Sequence, residues 1–158
     1  AITTRMSSGM PDLTGLSISD VATASSLTLA ADTISVVNYT GAAAAACTLP
    51  AATAGTVVVY AQAKDTAGGT ATLSFDCAGS DVFATGSVIE SRGSSEVTFD
   101  TSASGETLLT FTPADAATNL FTTGSMIAFI CYEDGTYHIA SKMGGAADAT
   151  TGAFVFAS

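Results

Sequence analysis

The sequence predicts an all-β fold: an antiparallel β-sandwich or jelly-roll-like barrel with an extended N-terminal arm. Three observations predict it. Val, Ile, Thr, Phe and Tyr gather in short runs such as Thr33–Val37, Gly55–Ala63 and Thr107–Thr112. The runs are separated by stretches rich in Gly, Ser, Asp and Thr, residues common in turns. No apolar period of the helical kind persists over the length a helix needs.

Residues 1–25 stand apart from the rest. Ile2, Met6, Met10, Leu13, Leu16, Ile18 and Val21 are spaced irregularly among Ser, Thr and Gly, with Gly9-Met10-Pro11 in the middle. Repeated large apolar residues argue against a simple solvated linker. The reading is an extended arm whose apolar residues dock on something else.

From residue 26 the pattern is strand-like. Ser26–Ala30 and Thr33–Val37 flank Ala31-Asp32. Gly55–Ala63 is rich in Val and Tyr, Thr70–Phe75 alternates, and Asp65–Gly69 (DTAGG) reads as a hairpin connection between them,. Ser87–Glu90, Glu96–Phe99 and Thr107–Thr112 are further strands, separated by Arg92–Ser95 and Ser102–Gly105. Ala114–Phe121, following Pro113, suits a short helical turn. About ten short strands at this spacing suit a sandwich or barrel.

Ser125–Met143 carries the strongest local signal, a hairpin closed at Asp134-Gly135. A type I′ turn there needs φ > 0 at both central residues. It pairs Glu133 with Thr136, Tyr132 with Tyr137, Cys131 with His138 and Ile130 with Ile139. One face then carries Tyr132, Tyr137, Ile130 and Ile139, and the other Phe129, Ala140, Cys131 and His138. Apolar content on both faces puts the hairpin centrally in its sheet. Beyond it, residues 144–158 form a small-residue linker and a terminal strand, Ala153–Phe156, completing the sheet or pairing with a neighbouring subunit. The organisation is an arm (1–25), a β domain (26–143) and this tail (144–158).

Composition narrows the function. A chain of 158 residues suits one domain with its own core,. No stretch approaches the roughly 18 apolar residues of a membrane helix; the Ala42–Ala46 run is short and leads into Cys47-Thr48-Leu49-Pro50. The expectation is a soluble chain without membrane contact, made in the cytosol with its initiator Met removed, because Ala1–Arg5 has no basic region followed by an apolar one,. Four basic residues (Arg5, Lys64, Arg92, Lys142) stand scattered against 14 acidic ones, for a net charge of −10. Phosphate neutralisation needs clustered Lys or Arg, so no nucleic acid is expected as a partner. Cys47, Cys77 and Cys131 are odd in number and lack CxxC spacing, so they read as buried free thiols,.

Catalytic templates find few residues to occupy. His138 is the only histidine, which rules out HExxH and multi-histidine zinc sites,. A Ser-His-Asp triad lacks a Gly-x-Ser-x-Gly elbow, and there is no P-loop and no Gly-x-Gly-x-x-Gly,. Cys131 opposite His138 is the one nucleophile–base pairing, and nothing nearby in sequence supplies an orienting Asn or Asp. Asp76, Asp81, Glu90, Glu96, Asp100 and Glu106 fall at turns and strand ends, where carboxylates are commonly solvated,. A glycosidase pair among them lacks the Trp on which sugars commonly stack. No Asp-x-Asp-x-Asp-Gly calcium loop occurs,. The expectation is a non-enzymatic module with no cofactor and no metal site. The sequon Asn38-Tyr39-Thr40 matters only on export, for which no signal is seen,.

Residues 26–62 contain SLTLAADT and, at 48–55, TLPAATAG followed by a Val-rich strand. Together with Ser80-Asp81-Val82-Phe83, Gly124–Phe129 (GSMIAF) and Tyr137-His138-Ile139, this pattern resembles a group of tailed-bacteriophage virion proteins. It spans most of residues 26–142, TLPAATAG being its distinctive part. Ser125 stands where the group often has an acid, and the arm and the region after Lys142 depart from the pattern. The resemblance implies a β-rich virion component without enzymatic activity, of the kind found as head decoration proteins and head or tail fibre modules. It transfers no binding residue.

The expected function is therefore a capsid decoration (cement) protein. It is expected on the exterior of the virion head, as a homotrimer, with the major capsid protein as its partner. Ile2, Arg5, Met6, Met10, Leu13, Leu16 and Ile18 are the candidate capsid contacts. The alternative is a head or tail fibre module recognising host surface glycans, which predicts a repetitive stem or a coiled coil.

Overall fold

Apolar side chains at alternate positions point into a common interior, and this alternation builds two facing sheets. The computed structural model describes residues 17–21, 26–40, 42–63, 71–92, 97–112, 124–142 and 153–158. The first strands are β1 (Ser17–Val21), β2 (Ser26–Thr28), β3 (Thr33–Val37), β4 (Ala45–Thr48), β5 (Val57–Gln62), β6 (Leu73–Asp76) and β7 (Val82–Phe83). Then come β8 (Val88–Arg92), β9 (Val97–Thr101), β10 (Leu108–Thr112), β11 (Met126–Glu133), β12 (Thr136–Lys142) and β13 (Ala153–Ala157). No helix occurs among the described residues, so none there is long and apolar enough to cross a membrane. The fold is all-β and sandwich-like, as the strand runs predict. The helical turn expected at Ala114–Phe121 lies outside the described residues.

One sheet has the order β1-β3-β5-β11-β12-β7, and the other β13-β10-β6-β4-β2. In the second sheet the interior is built as rows of register partners. Leu27, Cys47, Phe75, Leu109 and Phe156 form one row across all five strands. Ala45, Leu73, Phe111 and Phe154 form the next. Facing them, the first sheet contributes Val58, Tyr60, Ile127, Phe129, Tyr137 and Phe83, all buried. Burying such side chains stabilises by about 1.5–3 kcal/mol each.

Rings knit the two sheets together. Tyr60 meets Phe75 edge-to-face at 5.2 Å, Phe75 meets Phe129 at 5.2 Å, and Phe83 meets Phe156 edge-to-face at 5.4 Å. These contacts alternate between sheets, so sliding one sheet over the other breaks several at once. Polar groups within the core are paired. The Tyr60 hydroxyl donates to Gln62 Oε1 at 2.6 Å, Gln62 Nε2 donates to the Tyr39 carbonyl at 2.7 Å, and the Tyr39 hydroxyl donates to the Ala71 carbonyl.

The pairing corrects one expectation. The sheets are mixed rather than antiparallel throughout: β1–β3, β3–β5, β2–β4, β4–β6 and β7–β12 are parallel. From β1 to β6 the chain crosses to the opposite sheet at every step. Each strand therefore returns beside the one two before it, in the same direction. The loop at Asp32 shows how one crossing is made. Its backbone adopts φ +51°, its amide donates to the Val57 carbonyl at 2.7 Å, and its carboxylate accepts from the Val57 amide at 3.2 Å. Asp tolerates this left-handed conformation better than most residues.

The same winding overturns the hairpin read at Asp65–Gly69. β5 and β6 belong to different sheets and do not pair; the connecting segment 64–70 is outside the described residues. Residues 17–21, read as part of the extended arm, form the edge strand β1, with Ile18 opposite Ile34. The terminal strand β13 completes the second sheet beside β10. Its flank is covered by the β8–β9 hairpin, from which Asp100 accepts the Phe156 amide at 2.7 Å. Covering an edge in this way blocks strand addition there.

Candidate functional site

The tip of the β11–β12 hairpin departs from the simple reading. Only Gly135 of the Asp134-Gly135 pair has positive φ (+83°), so the turn is not of the I′ form. Glu133 pairs with Thr136 as expected, but the next pairs are Cys131 with Tyr137, Ile130 with His138 and Phe129 with Ile139. A β-bulge between Cys131 and Glu133 shifts the register by one residue. Tyr132 is the extra residue.

The physical reason lies in the core. Ile127, Phe129 and Cys131 point inward on one strand, as do Tyr137 and the partly buried Ile139 on the other. A regular two-residue hairpin sets these two groups on opposite faces, and one extra residue brings them together. The expected facing of Cys131 and His138 is thereby corrected. Cys131 is inward, its thiol donating to the Glu133 carbonyl at 3.0 Å, and burial pushes that thiol up. His138 is on the other face, paired with Ile130.

The bulge expels Tyr132, which is 69% exposed. Its ring meets the His138 ring edge-to-face, 4.9 Å between centroids. Beside them an open groove of about 370 Å³ is lined by Glu133, Thr136 and His138 from the hairpin. Val82–Thr85 and the turn at Ser104-Gly105 complete its walls.

The walls are fixed by hydrogen bonds. The Ala84 amide donates to the Tyr137 carbonyl at 2.8 Å, the Ser102 hydroxyl donates to the Ala84 carbonyl at 2.5 Å, and the Ala103 amide donates to Glu106 Oε2 at 2.6 Å. The 48–55 segment is stitched to Asp81 and to the hairpin tip. Asp81 Oδ2 accepts from the Ala52 amide at 2.7 Å and Asp134 Oδ1 from the Ala54 amide at 2.8 Å. The Gly135 amide donates to the Ala52 carbonyl at 2.9 Å, and the Tyr137 hydroxyl to the Pro50 carbonyl at 3.0 Å. The TLPAATAG stretch is thus the floor against which the hairpin is held.

Of the residues named from sequence as capsid contacts, Ile2, Arg5, Met6, Met10, Leu13 and Leu16 lie outside the described residues, and Ile18 is in β1. Cys47, Cys77 and Cys131 are buried free thiols, as expected. Among the described residues no three His, Cys, Asp or Glu side chains gather as metal ligands. Sequence reasoning missed the groove and the bulge at Tyr132. The signal was present: the inward alternation of Ile127, Phe129 and Cys131 conflicts with that of Tyr137 and Ile139 unless one residue is bulged.

Comparison with known proteins yields no match to a family model, to a curated protein or to a solved structure.

Proposed function

We propose that this chain is a capsid decoration (cement) protein that binds the outside of a tailed-phage head and bridges neighbouring subunits of the major capsid protein. The observation that carries the reading is the position of β1. Among the described residues it is the last strand of its sheet and pairs with β3. The sequence that leads into this edge carries Ile2, Arg5, Met6, Met10, Leu13 and Leu16. Such an edge offers unpaired backbone groups for strand addition by a partner.

Three further features support the reading. The ring-knit sandwich is a stiff body suited to bracing a shell. A net charge of −10 disfavours contact with packaged nucleic acid and suits an exterior position,. The residues of the TLPAATAG stretch, which carry the resemblance to virion proteins, hold the hairpin tip. Apolar contacts of the arm would contribute about 25 cal/mol per Å² buried. A homotrimer matches the threefold sites of an icosahedral shell.

The test is co-sedimentation of the purified chain with empty heads, comparing the full chain with a truncation that begins at Ser17. The cut spares β1, so circular dichroism is expected to be unchanged. The truncated form is expected to lose head binding by at least about tenfold, roughly 1.4 kcal/mol. Undiminished decoration by the truncated chain contradicts the role given to residues 1–16.

A further inference from the structure

We infer that the outer face of the sheet formed by β1, β3, β5, β11 and β12 joins two copies of this chain, face to face, about a two-fold axis running close to β5. The inference concerns the free chain in solution. It does not rest on the capsid reading, and the homotrimer proposed there is an arrangement on the shell.

The two outer faces of the sandwich differ in kind, and this is the first argument. On the sheet from β13 to β2, one outward row of register partners is Ser26, Ala46, Ser74, Thr110 and Val155. The next is Thr28, Thr48, Asp76, Leu108 and Ala157. Hydroxyls predominate there, as suits a face that meets water. On the opposite sheet the corresponding row is Ile18, Ile34, Val59, Ala128 and Ala140, without one polar residue. Beside it Val57 pairs with Ile130. Met126 is 37% exposed, and Ile34, Val36, Ala128 and Ile130 are only half-buried. A contiguous apolar patch of this kind marks an interaction surface. Parallel strands, as β1, β3 and β5 are here, are rarely left with one face bare.

Charge and size select the occupant. The next outward row is Asp20, Val36, Ala61, Met126 and Lys142, an acid at one end and a base at the other. Ala61 is its midpoint. Turning the sheet over about an axis along β5 lays this row on its own reverse. Asp20 of each copy then lies over Lys142 of the other, and Val36 over Met126. The same operation sets Ile34 over Ala128 and Ile18 over Ala140, large against small, which lets two such faces close. The surface complements itself, the condition for an isologous pair. A chain of net charge −10 repels its own copies,, and in this row acid and base cancel. Antisymmetry about one strand is what a second copy needs and what an unrelated partner does not.

The experiment is sedimentation equilibrium of the full chain at low salt, where charge pairs are least screened. The parent chain is expected to dimerise with Kd on the order of micromolar. Ala61→Glu sets two carboxylates against each other at the axis and is expected to weaken the dimer about a hundredfold. Asp20→Lys and Lys142→Asp each replace two attractions with two repulsions and are expected to weaken it about tenfold. The double exchange restores both pairs and is expected to return within about twofold of the parent. That recovery separates a lost contact from a lost fold. A parent chain monomeric up to about 0.5 mM, or one whose smallest assembly is a trimer, would overturn the inference. So would a dimer indifferent to Ala61→Glu, or a double exchange that fails to recover.

Discussion

Cys131 faces Tyr137 across the β11–β12 pairing, while His138 faces Ile130 one position further along. The thiol is directed into the core and the imidazole lies on the outer face against Tyr132. A single extra residue, Tyr132, separates these two arrangements. It lets the inward residues of both strands share one face, and its own ring stands exposed against His138.

The thiols are expected to be inert in the folded protein. Burial pushes Cys47 and Cys77 up to about 12, the charges of Asp81 and Asp76 adding to the effect at Cys77, and raises Cys131 as well. At neutral pH the reactive thiolate is therefore scarce and shielded. Titration with a disulfide reagent should label none of the three rapidly in the native state and all three in denaturant. Rapid native labelling of Cys131 contradicts its inward placement.

Alkali is expected to destabilise the protein. Burial holds Cys47, Cys77 and Tyr39 up to about 12, and Tyr60 and Tyr137 are raised too. Above about pH 9 the unfolded chain releases these protons while the folded chain retains them. Folding stability is thus complete below about pH 9 and falls as pH rises towards about 12. Urea midpoints measured across that window should decline steadily; midpoints that stay level or rise contradict the burial of these groups.

Asp81 is expected to be the more sensitive of the two carboxylates at the hairpin floor. Its Oδ2 accepts the amide of Ala52, a buried residue, whereas Asp134 accepts that of the exposed Ala54. Asp81→Ala leaves that amide without its acceptor, a cost of about 1–3 kcal/mol. Thermal unfolding should show a Tm several degrees lower, with Asp81→Asn less affected because an oxygen remains. Equal Tm values for Asp81→Ala and the parent chain contradict the clamp.

Much of the fold is legible because β-branched runs and turn residues act locally. Thr33–Val37 coincides with β3, the Val-rich and Leu-rich runs contain β5 and β10, and AFVF covers β13 except for Ala157. What escaped depends on distance. β4 reads as an alanine run, yet Ala45 and Cys47 are inward members of two core rows. The parallel winding is invisible to hairpin logic because each strand's partner lies beyond a strand of the other sheet. A clue to it exists in Ser17-Ile18-Ser19 and Thr33-Ile34-Ser35, similar triplets that prove to be register partners. The groove escaped for a related reason: a turn type predicts register, but core packing selected a bulge instead.

Deleting Tyr132 tests that selection. The deletion brings Cys131 next to Glu133 and leaves Cys131–Tyr137 and Glu133–Thr136 as consecutive pairs of a regular hairpin. Stability is expected to change by less than about 1 kcal/mol, since an exposed, unpaired residue is removed. Urea unfolding checks the size of the effect. A loss of several kcal/mol contradicts the view that the bulge does no more than bring the inward residues of the two strands onto one face.

Cryo-electron microscopy of phage particles from cells that produce this chain tests the proposed capsid role. The expected result is β-sandwich density in regular array on the outer head surface, with residues 1–16 traced onto the major capsid protein. Density confined to the tail, or heads bare of the protein, would contradict it.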